Sequence, residues 1–179
     1  MIKLSIVIPC RDKNDPKLKE LLRSIEKQDF SMSQMEVLVI SEGTSESAKA
    51  IGIRRAKGEV IGILASDNII SNQYTLSHQY ECAKNYGASY PAYYTYEKED
   101  NVLNRYFALM GFNDPLARYM NKHDRLSYFD KWDFWWVMEK KYSNRTIGDN
   151  GFFVKKELIE KTDLDNYYHI DNAIEACSS

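Results

Sequence analysis

The chain has 179 residues, of which 44% are hydrophobic and 13% aromatic. This is enough apolar material for one compact core, and we expect residues 1–179 to form a single domain. The formal net charge is -2, so we expect no nucleic acid partner. The three cysteines are widely spaced, which fits neither a disulfide framework nor paired zinc ligands and favours a cytoplasmic protein. No apolar run approaches the length needed to cross a bilayer.

Three short runs rich in β-branched residues predict buried strands at residues 4–9, 36–40 and 59–65. Helical patterns separate these runs, so the predicted order of elements is β-α-β-α-β. Uniformly apolar strands that alternate with helices indicate an α/β fold. Its mostly parallel sheet would be covered by helices on both faces and joined by right-handed crossovers.

Each of the two intervening helices has its own start or stop signal. Asp15 and Pro16 are suited to be the N-cap and the first helical position of the first helix. The apolar residues that then recur with helical spacing are Leu18, Leu21, Leu22 and Ile25. The second helix is predicted over residues 46–57, with Gly58 as the residue that ends it.

Beyond the third strand, the sequence predicts a helix over residues 72–86, a tyrosine-rich strand over residues 89–96 and an amphipathic helix over residues 101–110. A dense aromatic segment follows, formed by Trp132, Phe134, Trp135 and Trp136. Flat aromatic faces pack well against the apolar faces of sugar rings. Trp135 is therefore a candidate for sugar binding, with core packing as the alternative.

Polar segments follow all three predicted strands, at residues 10–14, 41–45 and 66–68. In an open α/β sheet the carboxyl ends of parallel strands share one edge, and ligands bind there. Asp67 is a candidate ligand for a divalent cation at this edge, but an aspartate also commonly holds a turn through its own backbone. Glu42 is equally ambiguous, because acidic residues are ordinary members of loops and helix caps.

Several motifs, in the same order and with similar spacing, resemble the family 2 glycosyltransferases, which have the GT-A fold. In that family an opening strand ending in Ile-Pro leads to a Ser-Ile-x-x-Gln helix, and an Asp-x-Asp follows a later strand. The matching segments here are residues 8–9 (Ile-Pro), 24–28 (Ser-Ile-Glu-Lys-Gln), 37–45, 48–52 (Ala-Lys-Ala-Ile-Gly), 56–59 (Ala-Lys-Gly-Glu), 65–67 (Ala-Ser-Asp) and 148–156.

On the donor side, the resemblance implies a nucleotide-binding half over residues 1–70, with a Rossmann-like sheet. Asp67 matches the second aspartate of the Asp-x-Asp and would hold a manganese or magnesium ion on the donor diphosphate. His169 is a further candidate metal ligand, with a structural hydrogen-bonding role as the alternative. The residues implied to contact the nucleoside-diphosphate sugar are Pro9, Arg11, Glu42, Lys49 and Ser66.

On the acceptor side, over residues 71–179, the resemblance implies a catalytic base, Asp171, that deprotonates an acceptor hydroxyl. The expected reaction is a metal-dependent, inverting transfer to a glycan, a lipid-linked carrier or another hydroxyl acceptor, as in cell-envelope or glycan biosynthesis. Such an acceptor would bring the protein to the cytoplasmic face of the membrane as a peripheral protein. The residues implied to lie on this side are Gly148, Asn150, Lys155 and Trp135.

The chain departs from the family pattern at several places. Ala65 stands where the first aspartate of the Asp-x-Asp is found, and Lys49 replaces an arginine and is alternatively an exposed helix lysine. The turn at Glu42 leads almost directly into residues 48–52, so the fold is expected to be one βα unit shorter than usual. The chain also ends soon after Asp171, and we expect either a truncated acceptor half or a minimal variant of the fold.

Two other functions stay open. A catalytically degenerate GT-A module would bind a nucleotide or a partner without turnover, and the missing first aspartate favours it. A sugar nucleotidyltransferase has a related core but normally carries a glycine-rich phosphate loop after its first strand, whereas residues 10–14 contain no glycine. The G-x-G-x-x-G of dinucleotide-dependent oxidoreductases is missing at the same place.

Overall fold

Five strands form one sheet in the computed structural model, which describes residues 1–89, 98–99, 101–103 and 151–160. The strands are β1 (Leu4–Pro9), β2 (Met35–Ile40), β3 (Val60–Ile63), β4 (Ala88–Ser89) and β5 (Phe152–Lys155). The helices are α1 (Pro16–Glu26), α2 (Ser45–Arg55), α3 (Thr75–Tyr86) and the short α4 (Lys156–Ile159), and a 3-10 turn lies at Met32–Gln34. None of the described helices is long and apolar enough to cross a membrane.

The order of strands in the sheet is β2-β1-β3-β5-β4. β1 pairs in parallel with β2 and β3, so that Leu4 lies opposite Met35 on one side and Val60 on the other. β5 runs antiparallel to both β3 and β4, with Lys155 opposite Val60. The sheet is therefore mixed and mostly parallel, and helices flank it in a single small domain, which confirms the predicted α/β fold.

Helices cover both faces of the sheet. Successive side chains of a strand point to opposite faces, and Ile6 of β1 accordingly packs in a cluster with Leu21 of α1 and Leu76 of α3. The next residue, Val7, packs in a second cluster with Ile53 of α2. All five side chains are at most 2% exposed. Burial on both faces explains why the sequence of β1 is apolar except for Ser5 instead of alternating.

A buried hydroxyl holds the turn between α2 and β3 against β1. Ser5 accepts hydrogen bonds from the backbone N–H groups of Gly58 at 2.7 Å and Lys57 at 3.2 Å. It donates to the carboxylate of Glu36 on β2 at 2.6 Å. The prediction that Gly58 ends α2 is wrong, because the helix ends at Arg55. A Cβ on Gly58 would lie 2.6 Å from the backbone nitrogen of Ser5, so glycine is needed here for close approach of the backbones.

The predicted boundaries hold at the start of the chain and shift further along. β1 has the predicted bounds, and α1 begins at Pro16 after Asp15, whose carboxylate accepts from the N–H of Lys17 at 2.9 Å. β3 ends at Ile63 instead of residue 65, because the chain leaves the sheet for a turn. α3 begins at Thr75, later than the predicted start at residue 72.

Only parts of the later predicted elements are described. β4 reaches the start of the strand predicted over residues 89–96, and residues 102–103 are helical within the helix predicted over residues 101–110. The remainder of both predictions, and the aromatic segment at residues 132–136, lie outside the described residues.

Candidate functional site

A cleft of about 430 Å³ opens at the carboxyl edge of β1, β2 and β3. Each of the three polar segments that follow these strands contributes to its wall, as expected for a ligand site in an open α/β sheet. The lining residues are 9–12, 15, 17, 40–44, 48–49 and 65–67.

The cleft brings together every donor-side residue predicted from the sequence, and the predicted metal ligand of the turn after β3. These residues are Pro9, Arg11, Glu42, Lys49, Ser66 and Asp67. They come from separate segments of the chain, so only the parallel pairing of β1 with β2 and β3 makes them neighbours. Five other predicted site residues lie outside the described part of the chain: Trp135, Gly148, Asn150, His169 and Asp171.

Lys155 is described, but it does not line the cleft. Because β5 is antiparallel to β3, Lys155 lies opposite Val60 at the amino end of β3, while Phe152 lies opposite Ile63 at the carboxyl end. The Lys155 ammonium group instead lies 3.3 Å from the carboxylate of Glu157. Lys155 therefore stands at the edge of the sheet opposite this cleft, and its predicted role on the acceptor side stays a prediction.

Asn68 closes the turn that carries Asp67. The Asn68 side chain accepts from the N–H of Ala65 at 3.0 Å, and its backbone N–H donates to the Ala65 carbonyl at 3.0 Å. Asp67 is exposed, and within the described part of the chain no hydrogen bond or ion pair engages its carboxylate. The alternative in which Asp67 holds the turn is therefore wrong, since its neighbour has that role, and the Asp67 carboxylate is left for another partner.

Lys49 is buried in the wall of the cleft, with 9% of its surface exposed. It stands in the second turn of α2, whose start is fixed by a reciprocal cap. The Thr44 hydroxyl accepts from the Ser47 N–H at 3.3 Å, and the Ser47 hydroxyl accepts from the Thr44 N–H at 2.7 Å. The alternative of an exposed helix lysine is therefore wrong. A positive charge with little solvation attracts an anionic group more strongly than an exposed one does.

Glu42 is held by Arg55, a residue that the sequence patterns did not single out. Two guanidinium N–H groups of Arg55 donate to the two carboxylate oxygens of Glu42, at 3.0 and 2.9 Å. These hydrogen bonds and the positive charge of Arg55 hold the pKa of Glu42 below its ordinary value. The two residues are 13 positions apart, outside the i to i+4 spacing by which a helical ion pair is found in a sequence.

The remaining acidic residues of the cleft accept hydrogen bonds from backbone N–H groups of the loop between β1 and α1 and of the first turn of α1. The carboxylate of Asp12 accepts from the N–H of Asn14 at 2.8 Å, and that of Asp15 accepts from the N–H of Lys17 at 2.9 Å. Among the described carboxylates of the cleft, Asp67 thus differs from the others in having no partner from the described residues.

The charges that line the cleft are nearly balanced. Three basic and four acidic residues line it, so the wall carries no excess of positive charge for an anionic ligand. The residues that the structure describes contain no group of three or more His, Cys, Asp or Glu side chains placed to hold a metal ion. The single carboxylate of Asp67 fits an ion that keeps several waters and takes other ligands from substrate phosphates, as Mg²⁺ commonly does.

The fold defined by this sheet and cleft is glycosyltransferase-like. No protein-family model matches the chain, and no curated protein gives a significant match. Among solved structures, the chain is similar to S. aureus TarS, a glycosyltransferase. It matches TarS 1-349 with a TM-score of 0.57 and 12% identity, over 99% of this chain and 55% of that one.

Two further TarS structures give the same result. The crystal structure titled TarS matches with a TM-score of 0.57 and 12% identity, over 99% of this chain and 33% of that one. TarS 1-349 in complex with UDP matches with a TM-score of 0.56 and 13% identity, over 97% of this chain and 54% of that one. The chain thus spans about half of TarS 1-349, and at such low identity the likeness establishes the fold alone.

Proposed function

We propose that this chain carries the donor site and catalytic fold of a glycosyltransferase, which moves a sugar from a nucleoside diphosphate to an acceptor hydroxyl with inversion. One observation carries the proposal: the buried charge of Lys49 and the carboxylate of Asp67 line the same cleft at the carboxyl edge of the sheet. Two comparisons support it, since TarS has this fold and has been crystallised with UDP.

The donor diphosphate is proposed to lie between α2 and the turn after β3. Lys49 would face its phosphate oxygens from the wall of the cleft, near the amino end of α2, where the helix dipole also favours negative charge. Arg11 lines the same cleft and adds a second cationic group. Glu42, ionised and oriented by Arg55, would accept a hydrogen bond from a ribose hydroxyl or a base N–H.

Asp67 fits a role as the protein ligand of a manganese or magnesium ion that enters with the donor. When bound, such an ion would neutralise charge on the departing nucleoside diphosphate. Asp67 is suited to this role because Asn68 holds the turn in its place. Ser66, beside it at the cleft, is proposed to contact the diphosphate.

For the acceptor half, we propose that Asp171 takes the proton of the acceptor hydroxyl. In that step the acceptor oxygen forms a bond to the anomeric carbon, the bond from that carbon to the diphosphate oxygen breaks, and the proton passes to Asp171. Gly148, Asn150, Trp135 and His169 remain proposals for the acceptor side and the metal. The proposed acceptor is a glycan or lipid-linked carrier, met at the cytoplasmic face of a membrane.

The donor site is tested by thermal shift with UDP and, for comparison, other nucleoside diphosphates, each with and without manganese chloride. We expect UDP with manganese to raise the melting temperature of the wild-type chain, because a ligand that binds only the folded state stabilises it. Asp67→Asn should abolish the manganese-dependent part of the shift. Failure of every nucleotide to shift the wild-type chain would contradict the proposed donor site.

A binding module without turnover is the second candidate function, and one specific observation favours it. Ala65 lines the cleft at the position where the resembled family has the first aspartate of its Asp-x-Asp, so this turn offers one carboxylate. Release of UDP from UDP-sugars, measured with and without candidate acceptors, separates the two functions. Turnover that disappears in Asp171→Asn supports the transferase, whereas UDP binding with no turnover supports the module.

A further inference from the structure

The loop between β3 and α3 (residues 64–74), which carries Asp67, is tied to the carboxyl end of α1. The hydroxyl of Ser24, which is 7% exposed, accepts from the N–H of Ile70 at 3.1 Å. The same hydroxyl donates to the carbonyl of Leu21 within α1 at 2.7 Å. Ile70 stands close after Asp67 in the chain, so Ser24 fixes the backbone on the far side of the turn.

Gln28, just beyond the end of α1, uses both ends of its side-chain amide. Its Nε2 donates to the carbonyl of Asn72 at 3.1 Å and to that of Ser24 at 3.3 Å. Its Oε1 accepts from the N–H of Leu76 at 3.1 Å. That N–H belongs to the first turn of α3, where N–H groups have no partner within the helix. The residue preceding α3, Tyr74, makes no side-chain cap, so Gln28 caps α3 from a distance.

The other end of the loop is fixed on β1. The N–H of Leu64 donates to the carbonyl of Val7 at 3.0 Å, and the next N–H, of Ala65, is bonded to Asn68. The turn 65–68 therefore lies between an anchor on β1 and the anchors on Ser24 and Gln28. The turn that carries Asp67 at the cleft is thus held at both ends.

We propose that Gln28 and Ser24 are positioning residues for Asp67, and that they act on manganese-dependent nucleotide binding through the backbone of the β3–α3 loop. The inference rests on the proposed function, in which Asp67 holds the cation. Because Ala65 supplies no second carboxylate, no other carboxylate of this turn can share the cation if Asp67 is displaced. Sites of this kind lose affinity when their ligand moves by a fraction of an ångström.

The test is a titration of the full chain with UDP, with and without manganese chloride, by calorimetry. We expect Gln28→Ala to weaken UDP binding in manganese by about three- to tenfold, the effect of one or two lost hydrogen bonds. Binding without manganese should change less than twofold. Ser24→Ala is the milder second variant, should Gln28→Ala fold poorly, and Gln28→Glu should restore part of the affinity because it keeps the acceptor for Leu76.

Two controls separate positioning from general stability. Tyr80→Phe removes a hydrogen bond of α3 to Glu59, remote from the loop, and should leave the effect of manganese unchanged. In an Asp67→Asn background, Gln28→Ala should have no further effect on UDP binding, because the coupling partner is gone. The inference is overturned if Gln28→Ala weakens binding equally with and without manganese, or lowers stability alone. A wild-type chain that binds no UDP would instead overturn the proposed function, and this inference with it.

Discussion

Arg55 reaches back along α2 to engage both carboxylate oxygens of Glu42. Arg55 is the last residue of the helix, and Glu42 lies before its start. The pair therefore fastens the loop after β2 to the outer side of α2, and it orients a carboxylate at the rim of the cleft.

We predict that Arg55→Gln raises the pKa of Glu42 toward its ordinary value of 4.5. Because the pKa of Glu42 is lower in the folded state, the pairing stabilises the protein at pH values above the ordinary pKa. This stabilisation is lost as the pH falls through the lower pKa of the folded state. NMR titration of the Glu42 carboxyl carbon measures the change. Both side chains are more than half exposed, so the melting temperature at pH 7 should hardly move.

Arg54→Gln is the matched control for this titration, because it removes the same charge from the same turn of α2. It should leave the pKa of Glu42 close to the wild-type value. An equal shift in both variants would show that overall charge, and not the two guanidinium hydrogen bonds, lowers the pKa.

For Lys49 we predict a loss of affinity that is confined to phosphate-bearing ligands. Lys49→Gln should weaken UDP binding by about tenfold, the usual effect of losing a hydrogen bond to a charged group. Uridine should bind the variant and the wild type equally, because it has no phosphate. Lys49→Arg keeps the charge and should retain most of the affinity. Equal losses for UDP and uridine would contradict a phosphate contact.

Gly58→Ala should destabilise the fold by about 1–3 kcal/mol, as overpacking in a core does. The added Cβ would lie 2.6 Å from the backbone nitrogen of Ser5 and 2.8 Å from the carbonyl carbon of Leu4, and backbone atoms cannot turn aside as a side chain can. Urea denaturation measures the change. Lys57→Ala, at an exposed neighbour that keeps its N–H, should cost far less. If the two variants lose comparable stability, the close approach of the backbones at Gly58 is not the cause of the destabilisation.

Tyr80 links α3 to the start of β3 through a 2.8 Å hydrogen bond to Glu59. Burial, and then the Glu59 carboxylate, raise the pKa of Tyr80 to about 12. Since the folded state favours the protonated phenol, this stabilisation is complete below pH 10 and is lost as the pH rises from about 10 to about 12. We predict that Tyr80→Phe costs about 1 kcal/mol at pH 7, and that its difference from the wild type shrinks at pH 11.

The measurement is urea denaturation at pH 7 and pH 11. Tyr74→Phe serves as the control, because Tyr74 is 57% exposed and its replacement should matter little at either pH. If the loss in free energy of unfolding caused by Tyr80→Phe is the same at the two pH values, the link between Tyr80 ionisation and folding is contradicted.

The sequence predicted the first βαβ unit well, for physical reasons. The apolar run of β1 is closed by proline, and Asp15 with Pro16 marks the start of α1 by local chemistry alone. Local chemistry also explains what the sequence could not predict about the turn after β3. Asp67 and Asn68 are equally good turn residues, and only the structure shows that Asn68 closes the turn while Asp67 does not.

The features that were missed depend on contacts between distant residues. An apolar strand has no direction in its sequence, so the antiparallel course of β5, which takes Lys155 away from the cleft, could not be predicted. The burial of Lys49 likewise follows from the packing of α2 on the sheet and not from the spacing within α2. Five predicted site residues, among them His169 and Asp171, lie outside the described part of the chain and stay predictions.

The position of β5 between β3 and β4 has a consequence for how this protein is made. During synthesis β1, β2 and β3 leave the ribosome well before residues 152–155, and until then β3 has an unpaired edge. A nascent chain or fragment that ends near residue 89 would therefore expose an apolar strand to association with other chains. Completion of the sheet must wait for β5, which lies far from β3 in the sequence, so folding is expected to be slow.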